Sequence, residues 1–467
     1  MKLTAERILD LARSAHLAIE EDDAERYVRP LSELLAELDG AGRAFALDDP
    51  PTPRTVEMVG PDPASNGDAF VHRFDLGPTG AGLLDGLTVG IKDTIAIAGV
   101  PRTRGRRTGW DHPGKDATIV SRILAAGGRI VGTLNLDAWS ASATGESSEF
   151  GVVDNPLAPG RLAGGSSAGS GAALAAGLVD VAVGTDTAGS ARIPASWCGV
   201  VALKPSHGAV PSDGVIGLDP TLDAVCPMAR TVRECASLFT VLAEPRPVAT
   251  TSSKRLGIVS GLESGYGAAG AAAMDEAVTR FRSAGWTIAS VNLPQWSSAW
   301  LIESMLLASS VPHFARTGWQ GRWLEQTDEP LPWDVKPPQL VTLWILAAEV
   351  LGDKINDYYR LAHTRRQLLR EEVQSAFETV DVILTPTTPT PAPRRAPRVP
   401  GSLLATTSGA ATPVLTSTLT TPANLAGIPA LALPIGRSDE GLSTSVQLHA
   451  PIGQEFWLFA AAEEIAD

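Results

Sequence analysis

The pattern of apolar and polar residues divides the chain into a helical N-terminal part and a longer part in which strands and helices alternate. Residues 4–20 and 23–42 carry apolar side chains at the three- and four-residue spacing of amphipathic helices. A Pro-rich stretch, Asp48–Pro63, then interrupts the pattern. We therefore expect a helical segment over 1–48, a linker over 49–64 and one large domain over 65–467.

Short apolar runs separated by small-residue helices fill the larger part. The runs "LTVGIKD", "DATIVSRILAAGG" and "RIVGTLN" follow one another between residues 87 and 135, and predict a strand, a helix that ends in glycines, and a second strand. Such a unit favours parallel pairing in a sheet with helices on both faces. The theme returns in "GAALAAGLVDVAVGTD" and in later runs such as "VDVILTPT". We expect an α/β fold with a large mixed β-sheet covered by helices on both faces.

Composition narrows the classes of partner. The chain has 467 residues, 44% of them hydrophobic, and a formal net charge of −14. An acidic balance disfavours nucleic acid and anionic membranes as partners. The three cysteines show neither a disulfide framework nor a CxxC metal signature. With no secretory signal and no apolar run of bilayer length, the expected location is the cytoplasm. No cluster of metal ligands is visible in the sequence, and no metal or cofactor is expected.

Two serine-containing loops carry candidate chemistry. The stretch "AGGSSAGSGAALAAG" from Ala163 is typical of a loop that exposes a hydroxyl, either of Ser166 or of Ser167. The stretch "GTDTAGSARIPA" from Gly184 follows a predicted strand and contains Ser190. Such turns point successive backbone N–H groups into one space and can hold an oxyanion. The donors would be the N–H groups of Thr187, Ala188, Gly189 and Ser190.

A lysine inside an apolar strand is the third candidate. Lys92 lies in "VGIKD", and burial there would lower its pKa by disfavouring the charged form. A neutral lysine can serve as a general base in Ser–Lys pairs. The structural alternative is a lysine that protects the edge strand of a sheet from aggregation.

These residues carry a resemblance to a known family. The run "GGSSAGSGAALAAGLVDVAVGTDTAGSARIPASWCGVVALKP" resembles the signature segment of the amidase signature family, and the resemblance extends over roughly residues 65–455. It implies an amidase in which Ser190 is the nucleophile, Ser166 bridges through a cis peptide bond, and Lys92 is the base. It also implies that Ser140 lies beside the bound acyl group.

The resemblance has departures and secondary expectations. Ala168 and Ala188 replace glycines that are common in the family, so Ala188 must have an ordinary backbone conformation. Asp186 is expected to orient the turn. Arg192 is expected to brace the loop, or alternatively to bind a substrate carboxylate.

Other enzyme classes share parts of these motifs. "GSSAG" also matches the G-x-S-x-G elbow of α/β-hydrolases, with Ser167 as nucleophile, but no strand is predicted before it. Within the family, the alternatives are the A subunit of glutamyl-tRNA amidotransferase and an allophanate hydrolase-like amidase. Ile193 stands where that A subunit usually has glutamine. We favour a stand-alone amidase that needs no partner beyond its small-molecule amide; the sequence leaves a homodimer open.

The substrate class is predicted from one segment that is rich in tryptophan. Residues 296–344 hold six of the eleven tryptophans, which predicts either core packing or an aromatic-walled pocket. The second interpretation favours a hydrophobic or aryl amide as substrate. These six are Trp296, Trp300, Trp319, Trp323, Trp333 and Trp344.

Overall fold

The computed structural model describes residues 3–15, 17–45, 54–59, 68–244, 253–317, 339–395 and 416–466. These residues form twelve α-helices and eleven β-strands. The helices are α1 Ala5–Ser14, α2 Glu21–Phe45, α3 Thr118–Ala125, α4 Ala168–Ala175, α5 Arg192–Cys198, α6 Val232–Leu242, α7 Ala268–Ser283, α8 Ala299–Thr317, α9 Gln339–Leu351, α10 Lys354–Thr379, α11 Thr421–Ala426 and α12 Glu455–Glu463. The strands are β1 Phe70–Leu76, β2 Thr88–Lys92, β3 Arg129–Leu134, β4 Val181–Asp186, β5 Val201–Lys204, β6 Ala224–Ala229, β7 Arg255–Val259, β8 Thr287–Val291, β9 Val382–Pro386, β10 Ala430–Arg437 and β11 Ser443–His449.

The helices α1 and α2 belong to a compact unit of their own. The hydroxyl of Thr4 caps α1 by accepting a hydrogen bond from the backbone N–H of Arg7. Acidic residues fill the first turn of α2, where they complement the helix dipole. Both predicted N-terminal helices are present, although α1 ends at Ser14 rather than at residue 20. The linker predicted at 49–64 lies mostly outside the described residues, and the division into domains stays a prediction.

The eleven strands form one mixed sheet, as predicted. Its strand order is β1-β3-β2-β4-β6-β5-β10-β11-β9-β7-β8. The predicted strand–helix–strand unit is confirmed, because β2 and β3 pair in parallel on either side of α3 in the sequence. The strand β4 also pairs with β2 in parallel, whereas β6 pairs with β4 in the antiparallel sense.

Neighbouring strand residues contribute to different cores, which places helices on both faces of the sheet. In β4, Val181 and Val183 pack in one apolar cluster with residues of α3, α6, α7 and α12. Ala182, between them, packs in another cluster with residues of α4 and α5. Alternating residues of a strand point to opposite faces, so the two clusters lie on opposite sides of the sheet. None of the helices described is long and apolar enough to cross a membrane.

Candidate active site

Lys92 lies at the end of a central strand and is completely buried. Its strand, β2, is flanked by β3 and β4, so the edge-strand alternative does not apply. The Nζ atom of Lys92 donates hydrogen bonds to Ser166 Oγ at 2.8 Å and to Thr185 Oγ1 at 2.7 Å. Because Thr185 belongs to β4, parallel pairing of two strands brings this hydroxyl beside the amine.

Burial also sets the charge of Lys92. Desolvation lowers the pKa of Lys92 to about 7, against the attraction of the buried acids Asp137, Asp186 and Asp223. A large share of Lys92 is therefore neutral near pH 7, and a neutral amine can accept a proton from a hydroxyl.

The loop before α4 presents Ser166 to the lysine. The Gly165–Ser166 peptide bond is cis, as the family resemblance implies. The carbonyl oxygen of Ser166 accepts a hydrogen bond from the backbone N–H of Asp137 at 3.1 Å. A Cβ atom on Gly165 would lie 1.9 Å from Asp137 Oδ2, so this close approach requires glycine.

The side chain of Ser167 hydrogen-bonds to the backbone of β4 rather than facing the cavity. Its Oγ donates to the carbonyl of Thr185 at 3.3 Å and accepts from the Thr185 N–H at 3.4 Å. Its own N–H donates to the carbonyl of Ser190 at 3.0 Å and so joins the two serine loops. Residues 156–160 before the loop form turns, and Arg161 and Leu162 form isolated β-bridges rather than a strand. This geometry argues against Ser167 as the nucleophile of a hydrolase elbow.

The turn at 187–190 offers fewer free donors than the sequence predicts. Gly189 has a φ of 128°, and its N–H already donates to Asp186 Oδ1 at 2.8 Å. The N–H groups of Thr187, Ala188 and Ser190 make no hydrogen bond to any residue the structure describes. Ala188 is not among the non-glycine residues with positive φ, so its backbone is ordinary, as expected.

Arg192 holds the turn in place. It is fully buried and forms an ion pair with Asp186, with two bonds of 2.9 Å. Its other donors reach the carbonyl of Thr420, the side-chain oxygen of Gln447 and that of Asn424. A guanidinium has five N–H donors, and all five are used, so none remains for a substrate carboxylate. Although burial acts in the other direction, the charge of Arg192 lowers the pKa of Asp186 to about 2.

A cavity of about 640 Å³, solvent space included, opens beside Ser190. Ser140 lies in its wall, and its Oγ is buried without a hydrogen-bond partner among the described residues. The remaining wall is mostly apolar and includes Ile193. The residues lining the cavity are Ser140, Ala141, Ser142, Ala143, Thr187, Ala188, Ser190, Ile193, Leu218, Trp300, Glu303, Ser304, Leu307, Leu340, Trp344 and Ser417.

The tryptophan-rich segment divides between cavity and core. Trp300 and Trp344 line the cavity, whereas Trp296 is buried against His449, with ring centroids 5.1 Å apart. Trp319, Trp323 and Trp333 lie outside the described residues. Both interpretations of the segment therefore apply, each to different residues.

Three buried polar residues near the site were not predicted from the sequence. Thr185 bonds Lys92, and Asp137 accepts hydrogen bonds from Gly145 and Ser147 beside the Ser166 loop. Glu303 on α8 lines the cavity. The available signal for Glu303 was that it is the one acidic residue of an apolar helix.

Relatives share most of the chain. Two of them are named as A subunits of glutamyl-tRNA(Gln) amidotransferase. The one from Natronomonas pharaonis is 34% identical over 85% of this chain and 99% of its own length. The one from Thermus thermophilus is 36% identical over 81% of this chain and 84% of its own length.

Solved structures agree on the fold. A structure described as an amidase has a TM-score of 0.70 and 29% identity, over 82% of this chain and 85% of its own. A 6-aminohexanoate cyclic dimer hydrolase with bound substrate has a TM-score of 0.71 and 26% identity, over 83% and 85% of the two chains. The family model described as Amidase matches residues 77–459. The resemblance seen in the sequence is thereby confirmed, and the chain belongs to the amidase family, whose members act on carbon–nitrogen bonds.

Proposed function

We propose that this protein hydrolyses a linear carboxamide through an acyl-enzyme on Ser190, with Ser166 and Lys92 as the proton relay. One observation carries the proposal. The buried amine of Lys92 lies 2.8 Å from Ser166 Oγ, and the Ser166 loop is joined by a hydrogen bond to Ser190, which faces the cavity. A base, a bridging hydroxyl and an accessible hydroxyl are the groups that such a relay needs.

Acylation follows from this arrangement. Neutral Lys92 takes a proton from Ser166 while Ser166 takes one from Ser190, and Ser190 Oγ attacks the amide carbon. The carbonyl oxygen becomes an oxyanion, which accepts hydrogen bonds from the N–H groups of Thr187, Ala188 and Ser190; these N–H groups make none to the described residues. The relay then returns a proton to the nitrogen, the C–N bond breaks, and ammonia or an amine leaves.

Deacylation repeats the steps with water. Water loses a proton to the same relay and attacks the ester carbon of the acyl-enzyme. Collapse of the second oxyanion breaks the bond to Ser190 Oγ, the relay returns its proton to that oxygen, and a carboxylic acid is released. The sum is amide plus water giving acid plus amine, and neither a metal nor a cofactor takes part.

The cavity wall supports a hydrophobic or aryl acyl group. Leu218, Leu307, Leu340, Trp300 and Trp344 form much of it. Burying apolar substrate surface against such walls contributes about 25 cal/mol per Å².

The central test is Ser190→Ala. We expect the rate of amide hydrolysis to fall by at least about 1000-fold, because loss of a nucleophile removes the covalent route. Ser196→Ala removes a hydroxyl from the same segment, one that contacts Thr388 at 3.0 Å rather than the cavity, and is the matched control. A Ser190→Ala protein that keeps its fold by circular dichroism and more than a few per cent of its activity would remove Ser190 from the nucleophile role.

A second candidate function is that of an amidotransferase A subunit. It is favoured by the relatives of that name, which are 33–36% identical to this chain. In that case glutamine would be the amide, and a partner subunit would receive the ammonia. Ile193, which lines the cavity where that subunit usually has glutamine, favours the stand-alone amidase.

A further inference from the structure

One wall of the cavity carries a carboxyl group that the proposed reaction does not use. Glu303 lies on α8, and only 8% of it is exposed. With Trp300, Ser304 and Leu307 it shares the cavity-facing side of the helix, at the spacing of three and four residues that brings side chains to one face. The opposite side of α8 packs Ile302 and Leu306 into the core.

Only one oxygen of this carboxyl is engaged. The hydroxyl of Thr421 donates to Glu303 Oε2 at 2.8 Å, and it also lies 2.9 Å from the carbonyl oxygen of Ser417. Oε1 makes no hydrogen bond to any described residue. Because a hydroxyl carries one hydrogen, Thr421 can donate to only one of its two neighbours at a time. When it donates to Ser417, Oε2 must carry the proton, and Oε1 remains an acceptor in either state.

The side chains of the described cavity wall determine whether a cationic or an anionic substrate group can bind at Glu303 Oε1. Glu303 is the only ionisable side chain among the residues that line the cavity in the described structure. A substrate carboxylate would therefore find no cation there and would face Glu303. An ammonium group would find a carboxylate among apolar and tryptophan side chains, a combination that favours cations.

We propose that the acyl group of the substrate carries an ammonium group, and that Glu303 Oε1 binds it. The proposal rests on the proposed function, because it places the ammonium in the cavity that opens at Ser190. Glu303 is then a specificity-determining residue: it selects an amide whose apolar body ends in a primary amine.

The pKa of Glu303 fits a carboxyl group that loses its proton when an ammonium group binds beside it. Burial raises the pKa of Glu303 to about 8 against the hydrogen bond from Thr421, which lowers it. Asp186 and Asp219 contribute in the same direction as burial, and Arg192 opposes them. The carboxyl is therefore mostly protonated in the empty cavity at pH 7. An ammonium beside it favours the carboxylate, so binding should release a proton.

The test is ligand binding to the Ser190→Ala protein, which separates recognition from turnover. The ligands are 4-(aminomethyl)benzamide, its neutral isostere 4-ethylbenzamide, and the anionic 4-(carboxymethyl)benzamide, each measured by calorimetry at pH 7. We expect the cationic ligand to bind about 10- to 100-fold more tightly than the neutral one, the range for a hydrogen bond to a charged group. The anionic ligand should bind most weakly.

Glu303→Gln in the same background keeps the size of the side chain and removes its charge. It should reduce the preference for the cationic ligand to near unity. The control is Glu371→Gln, the same change on an exposed residue of α10, which should leave the preference intact. If Glu303→Gln does not fold, buffers with different ionisation enthalpies supply a second readout: the cationic ligand should release nearly one proton and the neutral one none.

Equal affinities for the cationic and neutral ligands, or a preference that survives Glu303→Gln, would overturn the proposal. Its failure is distinct from failure of the proposed function. In the first case the wild-type protein hydrolyses both amides with no preference that depends on Glu303. In the second, the wild-type protein hydrolyses none of them, whatever binds to the cavity.

Discussion

At the scale of the residue, Lys92 shows how function opposes stability. Folding moves its amine from water into the interior and lowers its pKa from 10.5 to about 7. A shift of this size corresponds to roughly 5 kcal/mol of unfavourable free energy when the unfolded lysine is charged. The hydrogen bonds to Ser166 and Thr185 offset part of this cost.

We predict that Lys92→Met abolishes hydrolysis and raises the free energy of unfolding by about 3 kcal/mol at pH 7. The change removes the cost of roughly 5 kcal/mol for burying the amine and loses two hydrogen bonds of about 1 kcal/mol each. Between pH 7 and 10.5 the unfolded lysine binds more protons than the folded one, so wild-type stability rises with pH there. The advantage of the variant should therefore be largest at or below pH 7 and shrink towards pH 10.5. Urea unfolding at several pH values measures it. An advantage that does not change with pH would contradict a depressed lysine pKa.

The candidate catalytic residues could be predicted because each has a local signal. A lysine in an apolar run and serines among glycines are unusual in sequence alone. Thr185 and Asp137 have no such signal, and the only local signal of Glu303 is that it is the one acidic residue of an apolar helix. Their roles arise from what α8, β4 and the segment after β3 pack against, and one sequence does not reveal those contacts.

At the scale of the element, one buried ion pair ties together parts that are far apart in the sequence. Asp186 ends β4 and Arg192 begins α5, while Arg192 also bonds Thr420 before α11 and Gln447 in β11. We predict that Arg192→Met destabilises the fold by about 3–5 kcal/mol, because it leaves a buried carboxylate unpaired. The control is Arg360→Ala, which breaks the exposed pair with Asp357 and should cost under about 1 kcal/mol. Thermal unfolding compares the two; equal losses would mean that the buried pair is not a brace.

Some strands could be predicted from the sequence and others could not. The parallel strands β2, β3 and β4 have continuous apolar runs and were predicted. The strand β6 was missed because it contains Pro227, and proline argues against a strand in the interior of a sheet. In the structure β6 nevertheless lies between β4 and β5. The strand β11 was missed because it is polar in sequence, yet all seven of its residues are buried. Gln447 is accommodated there by its hydrogen bonds, including the one from Arg192.

At the scale of the whole molecule, family membership fixes the reaction class but not whether the chain acts alone. A relative named as an amidotransferase A subunit matches 85% of this chain, and the fold is shared with a 6-aminohexanoate cyclic dimer hydrolase. The cavity and the charge favour a chain that acts alone. Glutamine would bring a carboxylate into a cavity whose described walls hold no cationic side chain. A net charge of −14 disfavours contact with tRNA by this chain.

We therefore predict that the purified single chain hydrolyses aryl amides without any partner, and that glutamine is a poor substrate. Ammonia release from 4-(aminomethyl)benzamide, 4-ethylbenzamide and glutamine is compared at equal concentrations, with the Ser190→Ala protein as the blank. The kcat/KM for glutamine should be at least about 100-fold lower than for the better aryl amide, because an unpaired carboxylate must be desolvated in the cavity. If glutamine is instead the best of the three, or if ammonia appears only when charged tRNA is supplied together with a partner protein, the chain works as part of an amidotransferase and the apolar walls serve another purpose.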